Sequence, residues 1–267
     1  MTKLAANLTM LFNEYDVPER FGRAAANGFG GVEMLFPYEL STSDIDNRLK
    51  EHHLDLVLIN LPAGDWVAGD RGIAADPERV NEFREGVELA AQYAAALDVP
   101  RINCLVGKST DPAATRQTML DNIVYAADAL ANANTRLLIE PVNSHDVPGF
   151  AINTTADGLS VINELKHPNV GLQFDVYHSL RMGEDPFAVI AEHGKSIDHI
   201  QIADVPGRHQ PGTGEIDFRK LFDAIDDAGY KGWVSLEYIP EGPTEEGFDL
   251  LRELGVLGSR QESAPND

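Results

Sequence analysis

The sequence predicts an α/β protein: a single (β/α)8 TIM barrel over residues 1–258, followed by a flexible tail at 259–267. Three observations predict it. First, apolar runs and helix-forming runs alternate eight times with no break in composition that would mark a linker, and 267 residues is close to the roughly 250 of one such barrel. Second, four apolar runs close on a polar residue: Leu137-Leu138-Ile139-Glu140, Val170-Gly171-Leu172-Gln173-Phe174-Asp175, Ile197-Asp198-His199-Ile200-Gln201 and Val234-Ser235-Leu236-Glu237. They lie 35, 26 and 36 residues apart, near the ~30 residues of one strand-helix unit, and right-handed crossovers then bring all four to one mouth. Third, side chains alternate across a strand. The neighbours Ile139, Phe174, Ile200, Ile202 and Leu236 are apolar, whereas Gln173, His199 and Ser235 share the side of the four key residues and are polar. A sheet that gathers polar groups from successive strands on one face is most simply a closed barrel, with that face around its axis.

Residues 4–9 read as the first strand. Asp16 then opens a helix with an acid cap and an early proline, and Gly28-Phe29-Gly30-Gly31 ends it. Residues 32–35, carrying Glu33, form strand two; Ser41-Thr42-Ser43-Asp44 caps a helix to about His52; residues 54–61 form strand three. The glycine-bearing stretch 60–72 reads as a long loop of the kind that builds lids at this end of a barrel. Asp76-Pro77-Glu78 starts a long helix whose apolar face is marked by Val80, Phe83, Val87, Ala90, Ala94 and Leu97 at helical spacing. Residues 101–106 are strand four, and Asp111-Pro112 opens a helix to about Ala131 with Leu120, Ile123, Ala127 and Leu130 on its apolar side. Strand five ends on Glu140, with Pro141 stopping the pairing. Thr154-Thr155 caps a helix to Lys166, Asp185-Pro186 begins another after strand six, and Asp217 caps one to Ala228 after strand seven. Residues 233–238 are strand eight and 244–254 the last helix.

Lys and Arg number 21 against 43 Asp and Glu, a formal net charge of −22. That charge repels phosphate backbones and anionic bilayers, so neither nucleic acid nor a membrane is an expected partner. No run approaches the ~18 apolar residues of a membrane span. The amino terminus lacks a signal-peptide pattern, and Cys104, the one cysteine, allows no intrachain disulfide. A cytoplasmic protein is the expectation, and a homo-oligomer is left open. Cys104 sits in an apolar run and reads as a small buried hydrophobe. Scarce lysine and abundant aspartate suggest a surface adapted to high salt.

Three carboxylates and an amide carbonyl meeting at one point repel one another without a cation. An all-oxygen set suits a hard, six-coordinate ion better than tetrahedral zinc. One divalent metal ion, Mg2+ or Mn2+, is therefore expected at Glu140, Asp175, Gln201 and Glu237, where it would polarise a carbonyl and hold a neighbouring hydroxyl.

Longer motifs surround these residues: Leu138-Ile139-Glu140-Pro141-Val142-Asn143 with Asp146-Val147-Pro148-Gly149-Phe150, Phe174-Asp175-Val176-Tyr177-His178, and His199-Ile200-Gln201-Ile202-Ala203 with Pro206-Gly207-Arg208-His209 and Thr213-Gly214-Glu215. Gly229-Tyr230, Gly232-Trp233, Glu237-Tyr238 and Leu61-Pro62-Ala63-Gly64-Asp65-Trp66 with Gly69-Asp70-Arg71-Gly72 extend them over nearly the whole chain. Jointly they resemble the hydroxypyruvate isomerase family, which belongs to the xylose-isomerase-like barrels and includes 2-oxo-tetronate isomerases. The resemblance implies aldose-ketose type isomerisation of a short hydroxy-oxo acid. It places the two catalytic glutamates on Glu140 and Glu237, and the metal ligands on those two with Asp175 and Gln201. Related sugar 3-epimerases carry a histidine where Gln201 stands; that departure argues against a ketose 3-epimerase and leaves it as the alternative reading.

Moving a carbonyl to the adjacent carbon requires a proton to leave one carbon and return to its neighbour through an enediolate, for which two glutamates are suited. His178, three residues after Asp175, is a candidate hydrogen-bond donor to a substrate oxygen or an orienting group. Arg208 is a candidate clamp for the substrate carboxylate, and Arg71 and Lys108 are candidates for the same part. His199 lies deeper on the inward face and reads as a hydrogen-bonded core histidine; His52, His53, His167 and His193 read as solvated. A metal-dependent phosphodiesterase would need clustered histidines and a basic surface. A non-catalytic metabolite-binding barrel would have no use for two glutamates at a metal. The charge reading predicts a melting temperature that rises as KCl is raised from low to molar concentration, measured by calorimetry; a fall would exclude a salt-adapted surface.

Overall fold

The structure is a computed structural model that describes residues 2–109 and 111–258. Eight parallel strands close in chain order into a barrel: β1 (Lys3–Asn7), β2 (Gly31–Met34), β3 (Asp55–Asn60), β4 (Arg101–Cys104), β5 (Arg136–Ile139), β6 (Val170–Asp175), β7 (Ile197–Ile202) and β8 (Trp233–Leu236). Helices α1 (Val17–Ala26), α2 (Thr42–His52), α3 (Val80–Leu97), α4 (Pro112–Ala131), α5 (Thr155–Leu165), α6 (Val176–Arg181), α7 (Pro186–His193) and α8 (Phe218–Asp227) fill the crossovers. The (β/α)8 TIM barrel expected from the strand endings is the fold. Among the described residues no helix is long and apolar enough to cross a membrane.

The expected alternation holds along the strands. Ile139, Phe174, Ile200, Ile202 and Leu236 join the large apolar cluster that also holds Phe83, Val87, Ile123 and Leu221 from the helices. Burial of each such side chain is worth about 1.5–3 kcal/mol, and this shell fixes which face of each strand looks inward. Inside, Leu138 and Ala5 belong to a separate small apolar cluster. Two residues further along the chain stand Glu140 and Asn7, and the same inward side carries Glu33, Asn103, Gln173, His199, Gln201 and Ser235, all buried. Register aligns these side chains across strands, with Asn7 opposite Glu33, Gln173 opposite His199, Asp175 opposite Gln201 and Gln201 opposite Ser235.

Several element boundaries differ from the sequence reading for local reasons. The long helix begins at Val80 rather than Asp76, because the Asp76 carboxylate accepts from the Glu78 N–H at 2.9 Å and closes a turn ahead of it. α6 was not expected: Asp175 ends β6 and also caps that helix, its Oδ1 accepting from the Tyr177 N–H at 2.7 Å. The final helix divides into a 3-10 turn, Thr244–Phe248, and α9, Asp249–Glu253. Strands four, five and eight stop at Cys104, Ile139 and Leu236, so Glu140 and Glu237 are the first residues beyond their strands. Ser41 on the Asp44 N–H, Thr154 with Asp157 as a capping box, and Asp217 on the Lys220 N–H cap their helices as expected, whereas the Asp16 side chain, expected to cap α1, makes no cap hydrogen bond. The tail at 259–267 lies outside the described residues.

Two loops over the mouth touch through their backbones. Gly72 has φ +102, and a Cβ there would lie 1.8 Å from the Leu105 carbonyl oxygen; at Gly107, φ +94, it would lie 2.3 Å from the Gly72 oxygen. Only glycine combines that dihedral with so close an approach. Gly72→Ala is expected to cost about 2–3 kcal/mol, read as a lower urea midpoint at unchanged slope.

Candidate active site

The C-terminal mouth carries a cavity of about 380 Å³ whose polar floor includes Glu140, His178, Arg208 and Glu237. Its walls are apolar, with Met10, Leu35, Phe36, Trp66 and Phe150 among them. A larger depression of about 1200 Å³ between Glu14, Pro243 and Arg252 holds none of the predicted site residues.

Each carboxylate is held by a different neighbour. Asn103 Nδ2 donates to Glu140 Oε2 at 2.6 Å, leaving Oε1 toward His178, whose Nε2 is 4.0 Å away. Asp175 Oδ2 lies 3.5 Å from His178 Nε2 and 3.5 Å from an Arg208 nitrogen. Glu237 accepts a short hydrogen bond from the same Arg208 nitrogen, and its Oε1 is 3.4 Å from Asn7 Nδ2. Burial pushes Glu140 up to about 8, reinforced by the charge of Asp175. Asp175 rises to about 6 through burial, moderated by Arg208 and by backbone N–H donors. Glu237 is raised well above the ordinary carboxylate range, again by burial first, with Arg208 opposing. Burial works against the Arg208 charge, but Glu237, Asp175 and Glu140 more than offset it and hold the guanidinium protonated.

Arg208 depends on the loop after β7. Asp204, itself buried, accepts the N–H groups of Val205, Gly212, Gly214 and Ile216. The Arg208 N–H donates to the Asp204 carbonyl, and the Arg208 carbonyl accepts from Ile239. This holds Arg208 in the left-handed region, φ 57, with its guanidinium 5.2 Å from the Tyr177 ring centre.

His178 is turned by Asn143. The Asn143 Oδ1 accepts the His145 and Asp146 N–H groups at 3.1 and 2.9 Å, so its Nδ2 faces His178 Nδ1 at 2.6 Å. Nδ1 is therefore an acceptor, and burial with the Arg208 charge keeps the ring neutral. The proton sits on Nε2, which makes His178 a donor into the cavity.

The ligand atoms of Glu140, Asp175 and His178 lie within 4.8 Å of one another. Asp175 Oδ2 is buried without a hydrogen-bond partner, a costly condition that a hard cation relieves. The Asn143 contact occupies the His178 lone pair, so the carboxylate oxygens of Glu140 and Asp175 are the better donors to an ion. Gln201 is completely buried, its Oε1 accepting from Gln173 at 2.6 Å and its Nε2 donating to Glu33 at 2.8 Å. Arg71 lines the cavity from the loop after β3, stacked on Trp66 at 3.8 Å and bonded to the Trp66 and Asp70 carbonyls. Lys108 is not among the residues lining the cavity; its Nζ donates to the Gly69 carbonyl at 2.8 Å and ties that loop down. His199 is the hydrogen-bonded core histidine expected, 2.8 Å from Glu33 Oε2. His52, His167 and His193 are only partly exposed, and His167 meets Asp128 at 3.1 Å.

Sequence reasoning assigned no role to Glu33, Asn7, Asn103 or Asn143. For Glu33 the signal was present: an acid between Val32 and Met34 shows the same parity as the other strand-end residues. The asparagines carry no comparable mark, because their parts follow from the partners that fix each amide.

The chain is similar to known proteins over most of its length. The family model described as xylose isomerase-like TIM barrel matches residues 21–254. A hydroxypyruvate isomerase of Escherichia coli K12 is 44% identical over 251 residues, 93% of this chain and 97% of its own. A 2-oxo-tetronate isomerase of Cupriavidus necator is 40% identical over 255 residues, 94% of this chain and 98% of its own. A crystal structure from Brucella melitensis, named as an AP endonuclease of family 2, superposes with TM-score 0.92 at 41% identity, covering 95% of this chain and 99% of that one. Fold and mouth define a xylose isomerase-like barrel with an acidic, cation-ready site. Among such barrels this chain belongs to the hydroxypyruvate isomerase family, with its 2-oxo-tetronate isomerase members. Replacing Arg208 by methionine removes the positive partner of buried Glu237 and Asp175 and is expected to cost about 3–5 kcal/mol in urea unfolding without divalent ions.

Proposed function

We propose that this chain is a metal-dependent isomerase that moves a carbonyl between adjacent carbons of a short hydroxy-oxo acid, hydroxypyruvate to tartronate semialdehyde or a 2-oxo-tetronate. The observation that carries the reading is a pair of buried glutamates, Glu140 and Glu237, on the floor of one cavity. Asp175 is linked to them through His178 and Arg208. The names of the Escherichia coli and Cupriavidus enzymes support the substrate class. One divalent ion, Mg2+ or Mn2+, held by Glu140, Asp175, Gln201 and Glu237 would supply polarisation of the carbonyl and of the hydroxyl beside it.

The chain's own groups then divide the proton work. Glu140 Oε2 is engaged by Asn103, so Oε1 is the atom that handles a proton. Glu237 lies across the mouth, three strands away. One glutamate takes a proton from carbon and the other returns one to the neighbouring carbon. Negative charge grows on two adjacent oxygens in the enediolate, where His178 Nε2–H and the Arg208 guanidinium are fixed donors. Arg208 also suits the substrate carboxylate through paired N–H groups, with Arg71 at the outer end. Phe36 and Trp66, their rings 5.3 Å apart, shield the site from water.

The endonuclease name of the Brucella protein is not carried over. A net charge of −22 opposes a nucleic-acid partner. Among the described residues, the group of side chains able to share an ion contains one histidine. Composition supports a cytoplasmic setting and residues 1–258 as one domain.

The test is turnover of hydroxypyruvate, 2-oxo-tetronates and free ketohexoses with Mg2+, Mn2+ or Co2+, run in D2O. Solvent deuterium in a hydroxy-oxo acid is expected; turnover of ketohexoses alone would favour the epimerase reading. Glu140→Gln and Glu237→Gln are each expected to lower kcat by about 10²–10⁴-fold with metal still bound. Variants retaining more than about a tenth of the turnover would exclude the two-glutamate scheme.

A further inference from the structure

Glu33 is completely buried, on β2, yet the proton work described above does not use it. It collects donors from across the barrel. Its Oε1 accepts from Asn7 Nδ2 and Gln201 Nε2, both at 2.8 Å, and its Oε2 from His199 Nε2 at 2.8 Å. β2 and β7 are not neighbours in the barrel, so this carboxylate bridges side chains that the strand ladder does not bring together. Burying a carboxylate is costly, and an apolar residue would fill a barrel interior more cheaply. What the acid adds is direction. An ionised carboxylate only accepts hydrogen bonds, so the Gln201 amide must present Nε2 to it. That leaves the carbonyl oxygen on the β6 side, where Gln173 reaches it and where Asp175 follows two residues on.

Asn7 is fixed in the same sense. Its Oδ1 accepts the Thr9 and Met10 N–H groups at 2.9 and 3.1 Å, so Nδ2 is left to join Glu33 Oε1 to Glu237 Oε1, the latter at 3.4 Å. The Asn7 amide is thus turned by its own loop, so Gln201 is the one of the four residues assigned to the cation that this buried acid orients directly.

We propose that Glu33 is a positioning residue that sets the divalent-cation affinity of this site by fixing which end of the Gln201 amide faces Asp175. This rests on the metal-dependent reading above. The experiment is titration of the metal-stripped full chain with Mn2+, followed by calorimetry and by the electron paramagnetic resonance signal of free Mn2+. Wild type, Glu33→Gln, Gln201→Ala and the double variant are compared, with circular dichroism to verify folding. Glu33→Gln, which allows the facing amide to turn over, is expected to weaken Mn2+ binding about 10–100-fold. The double variant is expected to bind no more weakly than Gln201→Ala alone, because the effect passes through that side chain. Wild-type affinity in Glu33→Gln, or losses that multiply in the double variant, would overturn the inference and leave the metal reading standing. A wild-type chain that binds no Mn2+ would overturn that reading and this inference with it. Glu33→Asp is measured in parallel in case the neutral variant does not fold. It keeps the charge but stops one carbon short of Gln201, and a loss of about tenfold is expected; unchanged affinity in a folded Glu33→Asp chain would likewise overturn the inference.

Discussion

Four carboxylates gathered in the interior of one barrel, those of Glu33, Glu140, Asp175 and Glu237, are the constraint from which the rest of the mouth follows. Buried negative charges raise one another's energy far more than surface charges do, because little water is present to screen them. Every polar group nearby can be read as an answer to that pressure. Arg208 is shared between Asp175 and Glu237, Asn103 serves Glu140, and His199, Gln201 and Asn7 serve Glu33. Asp175 Oδ2 is left buried without a hydrogen bond, 3.5 Å from the shared Arg208 guanidinium.

The scaffold supplies the rigidity such a concentration needs. Strands deliver the acids at their C-terminal ends, and the parity of each strand is fixed by the apolar shell under the helices. The loops are tied separately. Asp204 gathers four N–H groups beneath Arg208; Gly72 and Gly107 lock two loops backbone to backbone; and Arg79 joins Asp70 at 2.7 Å, anchoring the loop that carries Trp66 and Arg71. Charge thus concentrates where the backbone has least freedom to spread it apart.

The fold was legible in the sequence because its signals are local and repeated. A strand that ends on a polar residue with apolar neighbours one step away fixes a face, and four such strands fix a barrel. The same logic brought Glu140, Asp175 and Glu237 to one mouth. It failed where one residue serves two elements: Asp175 closes a strand and caps α6, so the pattern gave the strand and concealed the helix. It also failed at Asp76, whose side chain spends itself on a turn before the helix begins. Hydrogen-bond direction is a further thing no pattern contains. That Asn143 makes His178 a donor, or that Lys108 reaches Gly69 rather than the cavity, depends on partners distant in the chain.

Closure of the strands has a consequence for how copies of this protein can meet. An open sheet offers a border of unmatched N–H and C=O groups that invites strand addition and, under crowding, fibre growth. Here β1 pairs with β8, so no such border exists among the described strands. Contacts made through the described residues therefore fall to helix faces and loop tips, whose side chains evolution can adjust one at a time.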